Sequence, residues 1–200
     1  MKRLTSLLLA LTVALVTTPS GAVEVTYTFP IQESSGCQVT FSRYHHDYPA
    51  ADLFTKSGCP FLSPVDGVVD EVSRTDTWSG RENLGETRGG KFVSIIGDDG
   101  VRYYGSHLRS VKKGIKVGTA VTSGQPLGTI GTSGSARGTP PHLHFGISWP
   151  TSEAAWWVRR GMVSPYDFLI AWQKGEMKSP KRRVARMLER VGEIPKEPKK

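Results

Sequence analysis

Cysteine is nearly absent: Cys37 and Cys59 are the only two in 200 residues. Their isolation argues against a structural zinc site, which needs closely paired thiolates. Beyond Val16, no apolar run approaches the roughly 20 residues that a membrane-spanning helix requires. Zinc-finger spacing, aromatic RNA-binding motifs and recognition-helix patterns are missing, so nothing favours nucleic acid as a partner. Before residue 150 there is no long helical periodicity either. Acidic residues are outnumbered, 18 Asp and Glu against 26 Lys and Arg, for a formal net charge of +8.

What is present begins with a secretory leader over residues 1–22. Lys2 and Arg3 precede an apolar run from Leu4 to Val16, and Ser20-Gly21-Ala22 supplies the small residues of a cleavage site after Ala22. A membrane anchor is the alternative, but the run is short for one. The mature chain is then exported, has no transmembrane span and is expected to be a monomer. It keeps a charge of about +6 once Lys2 and Arg3 are lost, which suits anionic envelope polymers and lipid headgroups as partners. An even cysteine count in an exported chain predicts a Cys37–Cys59 disulfide, with two free buried thiols as the alternative. Its loop, worth about 3 kcal/mol in the chain-entropy picture, encloses His45, His46 and Asp52.

From Val23 to Trp149 short β-rich runs alternate with Gly and Pro turns. Strands are predicted at Val25–Phe29, Pro64–Val72 around an Asp-Gly turn, Lys91–Gly97, Val101–Tyr104, Ala120–Val121, Pro126–Ile130 and His142–Ser148. The fold class is therefore mostly β, an antiparallel, sandwich-like domain over residues 23–150. Arg74 to Gly90 reads as an exposed loop. Residues 151–177 form an aromatic extension that includes Trp156, Trp157, Phe168 and Trp172. It should be helical from about Ser164, with Ser164 as cap and Pro165 at the first helical position. Residues 178–200 carry nine Lys or Arg against three Glu. They predict a basic, disordered tail or a short amphipathic helix over Arg182–Val191; a merely solvated face is as good a reading.

All five histidines fall into three clusters. His45 and His46 precede Asp52, His107 lies in Tyr104-Gly105-Ser106-His107-Leu108, and His142-Leu143-His144-Phe145 ends the series. Strand residues two apart share a face, so His142 and His144 project together while Leu143 and Phe145 point to the core. Two imidazoles and a carboxylate make a catalytic zinc set with a fourth position left open. Two chance strand histidines without a metal remain the bland alternative for the pair alone.

The clusters appear in a familiar order. With the Asp52 motif, Ser63-Pro64-Val65-Asp66-Gly67-Val68-Val69, the Tyr104–Leu108 motif and His-Leu-His-Phe, the chain resembles the lysostaphin/LytM-type zinc endopeptidases of peptidoglycan from about His45 to Phe145. That resemblance implies a Zn2+ cofactor and peptidoglycan peptides as substrate. Asp52 and His144 would be ligands, His45 the third with His46 as its alternative, and His142 the general base. His107 would orient the water or stabilise the developing oxyanion. A non-catalytic wall-binding or hydrolase-activating protein of the same fold is the rival, though it would be expected to have lost ligands.

Two departures from the family pattern stand out. Tyr48 occupies the position, four before the aspartate, where the first ligand more commonly sits. One extra residue separates Tyr104 from His107, which leaves the catalytic role of that tyrosine open.

Overall fold

The computed structural model describes residues 25–197; the leader expected over residues 1–22 lies outside them. Two antiparallel sheets carry the fold. The larger has six strands: β1 (Ala51–Phe54), β9 (His142–Ser148), β5 (Arg102–Ser106), β4 (Phe92–Gly97), β3 (Gly67–Ser73) and β7 (Ala120–Val121), in that spatial order. The smaller orders β2 (Pro60–Leu62), β8 (Pro126–Ile130) and β6 (Leu108–Val111). Alternation along β9 sends Leu143, Phe145 and Ile147 into a core shared with Phe61, Leu127 and Ile130 of the smaller sheet. Each such side chain contributes about 1.5–3 kcal/mol by leaving water. Gly105 lets the sheets approach, because a Cβ there would overlap the Phe61 ring.

Two predicted elements differ, and three short strands were not predicted. Val25–Phe29 is not a strand but an irregular segment along β2, held by Thr28 N–H to Pro64 O (2.8 Å) and Leu62 N–H to Pro30 O (2.9 Å). Prolines at 30, 60 and 64 have no amide to donate, so a continuous ladder cannot form. The Asp66-Gly67 pair opens β3 instead of bending within it, and a Cβ at Gly67 would overlap Ile96 O. Strands β1, β2 and β6 were not predicted: they are three or four residues long and lack a run of alternation.

Beyond β9 the chain forms α1 (Trp156–Arg159), α2 (Tyr166–Gln173) and α3 (Lys181–Val191). Helix α2 begins at Tyr166, one residue after the predicted first helical position. Pro165 takes the capping position and no side-chain bond from Ser164 or any other residue caps it. Trp172 stacks on Tyr27 at 5.4 Å between ring centres, which ties the irregular N-terminal segment to the helices. The basic segment, expected as tail or amphipathic helix, is α3. Its Val184 is buried and Met187, Leu188 and Val191 pack beside it. The indoles of Trp149 and Trp157 donate to Glu193 O (2.9 Å) and Pro195 O (3.0 Å), which pins the chain past the helix. Among the described residues no helix is long and apolar enough to cross a membrane.

A buried charge cluster joins the extension to the sheet. A bulge in β3 between Val69 and Glu71 breaks the usual alternation. Asp70 and Glu71 thus both reach the fully buried Arg102, each at 2.7 Å. Arg159 of α1 closes the cluster at 2.6 Å from Glu71 and 3.3 Å from Asp70.

Cys37 and Cys59 are bonded, with 5.7 Å between their Cα atoms. Replacing both by serine should lower unfolding free energy by about 2–5 kcal/mol in urea titration. A variant as stable as the parent would show that the bridge contributes nothing to the folded chain.

Candidate metal centre

The site is built on strand register. Pairing of β1 with β9 sets Asp52 directly opposite His144 and Phe54 opposite His142. Directly opposed side chains on one sheet face lie within contact distance. Asp52 Oδ1 is 2.9 Å from His144 Nδ1, and Asp52 Oδ2 is 3.6 Å from His45 Nε2. The three donor groups lie within 4.8 Å of one another. Ligand atoms around a tetrahedral zinc stand ~3.3 Å apart, so the spacing fits.

His45 comes from the turn before β1. Its Nδ1 faces the Asp47 and Tyr48 amides, each at 3.4 Å, and Nε2 turns toward Asp52. His46 points away: its side chain is 70% exposed and pairs with Asp47 at 3.2 Å. The geometry groups His45, Asp52 and His144 and leaves His46 on the rim.

The His144 ring can be satisfied in more than one way. His144 Nε2 faces Arg160 O at 3.2 Å and the Tyr48 hydroxyl at 3.1 Å, while Nδ1 faces Asp52. The Tyr48 hydroxyl can donate, so a neutral ring with Nδ1–H on Asp52 and Nε2 accepting from Tyr48 is satisfied without an imidazolium charge. Burial, the largest influence on His144, disfavours that charge and outweighs the pull of Asp52. For Asp52 burial acts upward, but the His144 hydrogen bond and the nearby imidazoles hold its carboxyl below the usual range. In the other neutral tautomer Nε2–H donates to Arg160 O and a bare Nδ1 faces the Asp52 carboxylate, the arrangement in which the pair could hold a metal ion.

His142 and His107 share the opposite arrangement. His142 Nδ1 donates to Pro140 O (2.9 Å) and His107 Nδ1 donates to Ser133 O (2.8 Å). Carbonyls only accept, so in the neutral rings each Nε2 keeps a lone pair. The rings are 5.0 Å apart, and His107 is 5.9 Å from His144. Burial, then the His144 and His142 rings, push His107 down to about 3, so it is neutral at physiological pH. Burial likewise takes His45 down to about 4. His107 adopts φ +64°, the left-handed region, where the chain leaves β5 for β6. Such a non-glycine conformation carries strain of about 1–3 kcal/mol and is found at functional sites.

A cleft of about 580 Å³ opens over these groups. The predicted exposed loop, Arg74 to Gly90, supplies one wall with Trp78, Asn83 and Arg88; residues 135–140 supply another. Asp76 clasps the walls together by accepting from Gly134 N–H at 3.0 Å and Arg137 Nη2 at 2.7 Å. Tyr104 is buried beside His144, its ring 6.2 Å away, and does not line the cleft. Asp66 of the Pro-Val-Asp-Gly motif is also elsewhere, accepting from Ser123 N–H at 2.6 Å.

Tyr48, Trp78 and Arg160 line the cleft and were not singled out as site residues in the sequence. Tyr48 carried a signal, since it stands where a ligand is more common. Arg160 carried none. It reaches the site because Gly146 of β9 and Gly161 lack side chains: a Cβ on Gly146 would overlap Arg160 O.

Gly146→Ala should therefore push the Arg160 carbonyl off His144 and weaken zinc binding about tenfold or more, read by chelator competition. Unchanged affinity in a folded variant would exclude this support. In the metal-free chain, His107 binds a proton more readily unfolded, near pH 6.5, than folded, near pH 3. Its contribution is complete above about 6.5 and is lost as pH falls toward about 3, with a slope approaching about 1.4 kcal/mol per pH unit. His107→Asn, which tolerates the same backbone, should flatten urea-derived stability between pH 6.5 and 4; an unaltered slope would contradict a buried neutral His107.

Residues 46–155 match the description of peptidase family M23. Over 140 residues the chain is 31% identical to the L-Ala–D-Glu endopeptidase of Bacillus subtilis, covering 67% of this chain and 38% of that protein. It is 36% identical over 95 residues to glycyl-glycine endopeptidase ALE-1 of Staphylococcus capitis, covering 47% of this chain and 22% of that one. The chain thus spans well under half the length of these curated relatives. The solved antimicrobial peptidase lysostaphin from Staphylococcus simulans shares the fold, with TM-score 0.53 at 23% identity over 78% of this chain and 58% of the other. With more than half of its residues matched, the chain belongs to peptidase family M23.

Proposed function

We propose that the chain is an exported, zinc-dependent endopeptidase that hydrolyses peptide bonds in peptidoglycan stem peptides or cross-bridges. One observation carries this: three clustered donors, His45, Asp52 and His144, share a cleft with two imidazoles whose lone pairs are free. The relatives are named for L-Ala–D-Glu and glycyl-glycine endopeptidase activities, which supports a peptidoglycan substrate. The leader over residues 1–22 and the basic charge support export to an acidic layer. Residues 23–150 form the catalytic unit, with 151–177 packed on it and 178–200 as its basic end.

His45, Asp52 and His144 hold the metal, with His46 outside the set. Zinc bound there supplies Lewis acidity to the scissile carbonyl. His142 Nε2 takes the proton from the attacking water, and its Nδ1–H bond to Pro140 O fixes the ring for that task. The same proton passes to the leaving amine as the C–N bond breaks; the remaining water proton, first on the new carboxyl, ends on the amine, giving a carboxylate and an ammonium. His107, held neutral and with Nε2 unprotonated, accepts a hydrogen bond from that water and orients it. A neutral Nε2 has no proton to offer an oxyanion, which favours the orienting role. No covalent enzyme intermediate is needed.

Zinc content and peptide release from purified peptidoglycan test the assignment. Asp52→Ala, His144→Ala and His45→Ala should lose metal, while His46→Ala keeps it. His142→Ala should retain zinc and lose about a hundredfold or more in turnover. A zinc-loaded chain that releases no peptides from walls of different cross-bridge chemistry would overturn the lytic reading. Loss of metal from His142→Ala as complete as from His144→Ala would overturn the division of roles along β9.

A further inference from the structure

Arg160 is a cation that the protein has buried and left without a counter-ion. Its residue exposure is 8%, yet it forms no salt bridge among the described residues. Nη1 reaches Gly85 O at 3.3 Å, the guanidinium stands 5.6 Å from the Tyr48 ring centre, and Nε is buried with no partner. A carbonyl and a π face offset only part of the cost of desolvating a guanidinium. The other buried arginines are treated differently, since Arg102 and Arg159 each meet two carboxylates.

Arg160 is among the residues that line the cleft, so a partner for its guanidinium can arrive from solution. Arg88 lines it too, with Nε on the neutral Asn83 side chain and no salt bridge among the described residues. The carboxylates on the cleft are Asp52, committed to the metal set, and Asp47, which pairs with His46. The cleft therefore offers an anion two cations and little competition. The Arg160 backbone lies behind His144, on the side away from Asp52, with its carbonyl on Nε2. Tyr48 and Gly85 beside the guanidinium mark a place next to the reacting position, not at it.

We propose that Arg160 forms a carboxylate subsite of the cleft, selecting peptides that carry a free carboxylate near the scissile bond. This rests on the cleft being a peptide-hydrolase site. The carboxylate belongs either to an acidic residue within the peptide or to its C-terminus, and the guanidinium meets both by the same charge-assisted hydrogen bonds.

Synthetic peptides of stem-peptide composition are prepared with all carboxylates free, with the internal carboxylate amidated, or with the terminal one amidated. The zinc-loaded full chain, Arg160→Lys and Arg160→Met are compared for kcat and KM. Calorimetry with the His142→Ala chain, alone and combined with Arg160→Met, measures binding without turnover. One amidation should raise KM and Kd about tenfold or more with kcat little changed, and the sensitive position names the source of the carboxylate. Arg160→Met should bind free and amidated peptides alike, with Arg160→Lys keeping part of the preference.

Equal treatment of the three peptides by the parent chain overturns the proposal. So does a preference that survives in Arg160→Met, or a loss confined to kcat, which would assign Arg160 to the transition state. Should Arg160→Met not fold, the amidation series and Arg160→Lys still decide. If no peptide is cleaved, the hydrolase reading fails while the calorimetric preference still tests Arg160.

Discussion

The antiparallel pairing of β1 with β9 is the constraint on which the site depends. It sets Asp52 against His144 by backbone hydrogen bonds rather than by side-chain adjustment. A one-residue slip would turn the entire functional face into the core, because side chains alternate with period two. Leu53, Leu143 and Phe145 prevent the slip: all are fully buried and would have to exchange places with an aspartate and two histidines. Hydrophobic burial on one face thus fixes polar geometry on the other. β1 is an edge strand of only four residues. Its position is reinforced from the outer side, where Phe54 and Thr40 exchange backbone hydrogen bonds of 2.9 and 3.1 Å.

That register fixes where His144 is but not which way its ring electrons point. Orientation comes from the C-terminal extension. Arg160 O addresses Nε2, and the carbonyl is set by packing of residues 159–161 against Gly146 and Pro49. Arg159 anchors the same segment to Asp70, Glu71 and, through its carbonyl, Arg102. Such a buried ionic cluster is weak evidence of added stability, since desolvation offsets much of the attraction. Its directional bonds nevertheless hold a short helix in one place on the sheet. An apolar replacement of equal volume could preserve stability while loosening the aim of the Arg160 carbonyl.

Legibility followed the reach of each physical signal. His142, His144, Asp52, His107 and the Cys37–Cys59 pair were visible because residue type and close spacing carried the information. Strands with β-branched runs, such as β4 and β9, were visible for the same reason. Val25–Phe29 misled because its alternation is real while the prolines that deny it a ladder lie across space, at 60 and 64. β1 was invisible because four residues hold too little pattern, although it supplies Asp52. The sequence already favoured His45 with His46 as its alternative; the turn geometry adds that one ring is exposed and the other faces Asp52. Tyr48 and Arg160 depend on contacts 96 and 16 residues away in sequence, to which no local pattern gives access.

The cleft walls show how far position can be separated from stability. His107 accepts a left-handed backbone, and its ring is buried neutral against Ser133 O. A glycine would relieve that backbone and lose the imidazole, so strain and function are tied at a single residue. Ser133 and Gly134 are in turn fixed from the opposite wall: Lys91 N–H donates to Ser133 Oγ at 2.9 Å and Asp76 accepts from Gly134. Gly90 and Gly134 approach so closely that a Cβ on either would overlap the other's backbone amide. The wall that orients His107 is therefore held by backbone contacts to the wall carrying Trp78 and Arg88. Widening the cleft for a bulkier ligand would disturb the carbonyl that sets the His107 tautomer. In this molecule the shape of the cleft and the tautomer of the His107 ring are coupled through the same few peptide groups.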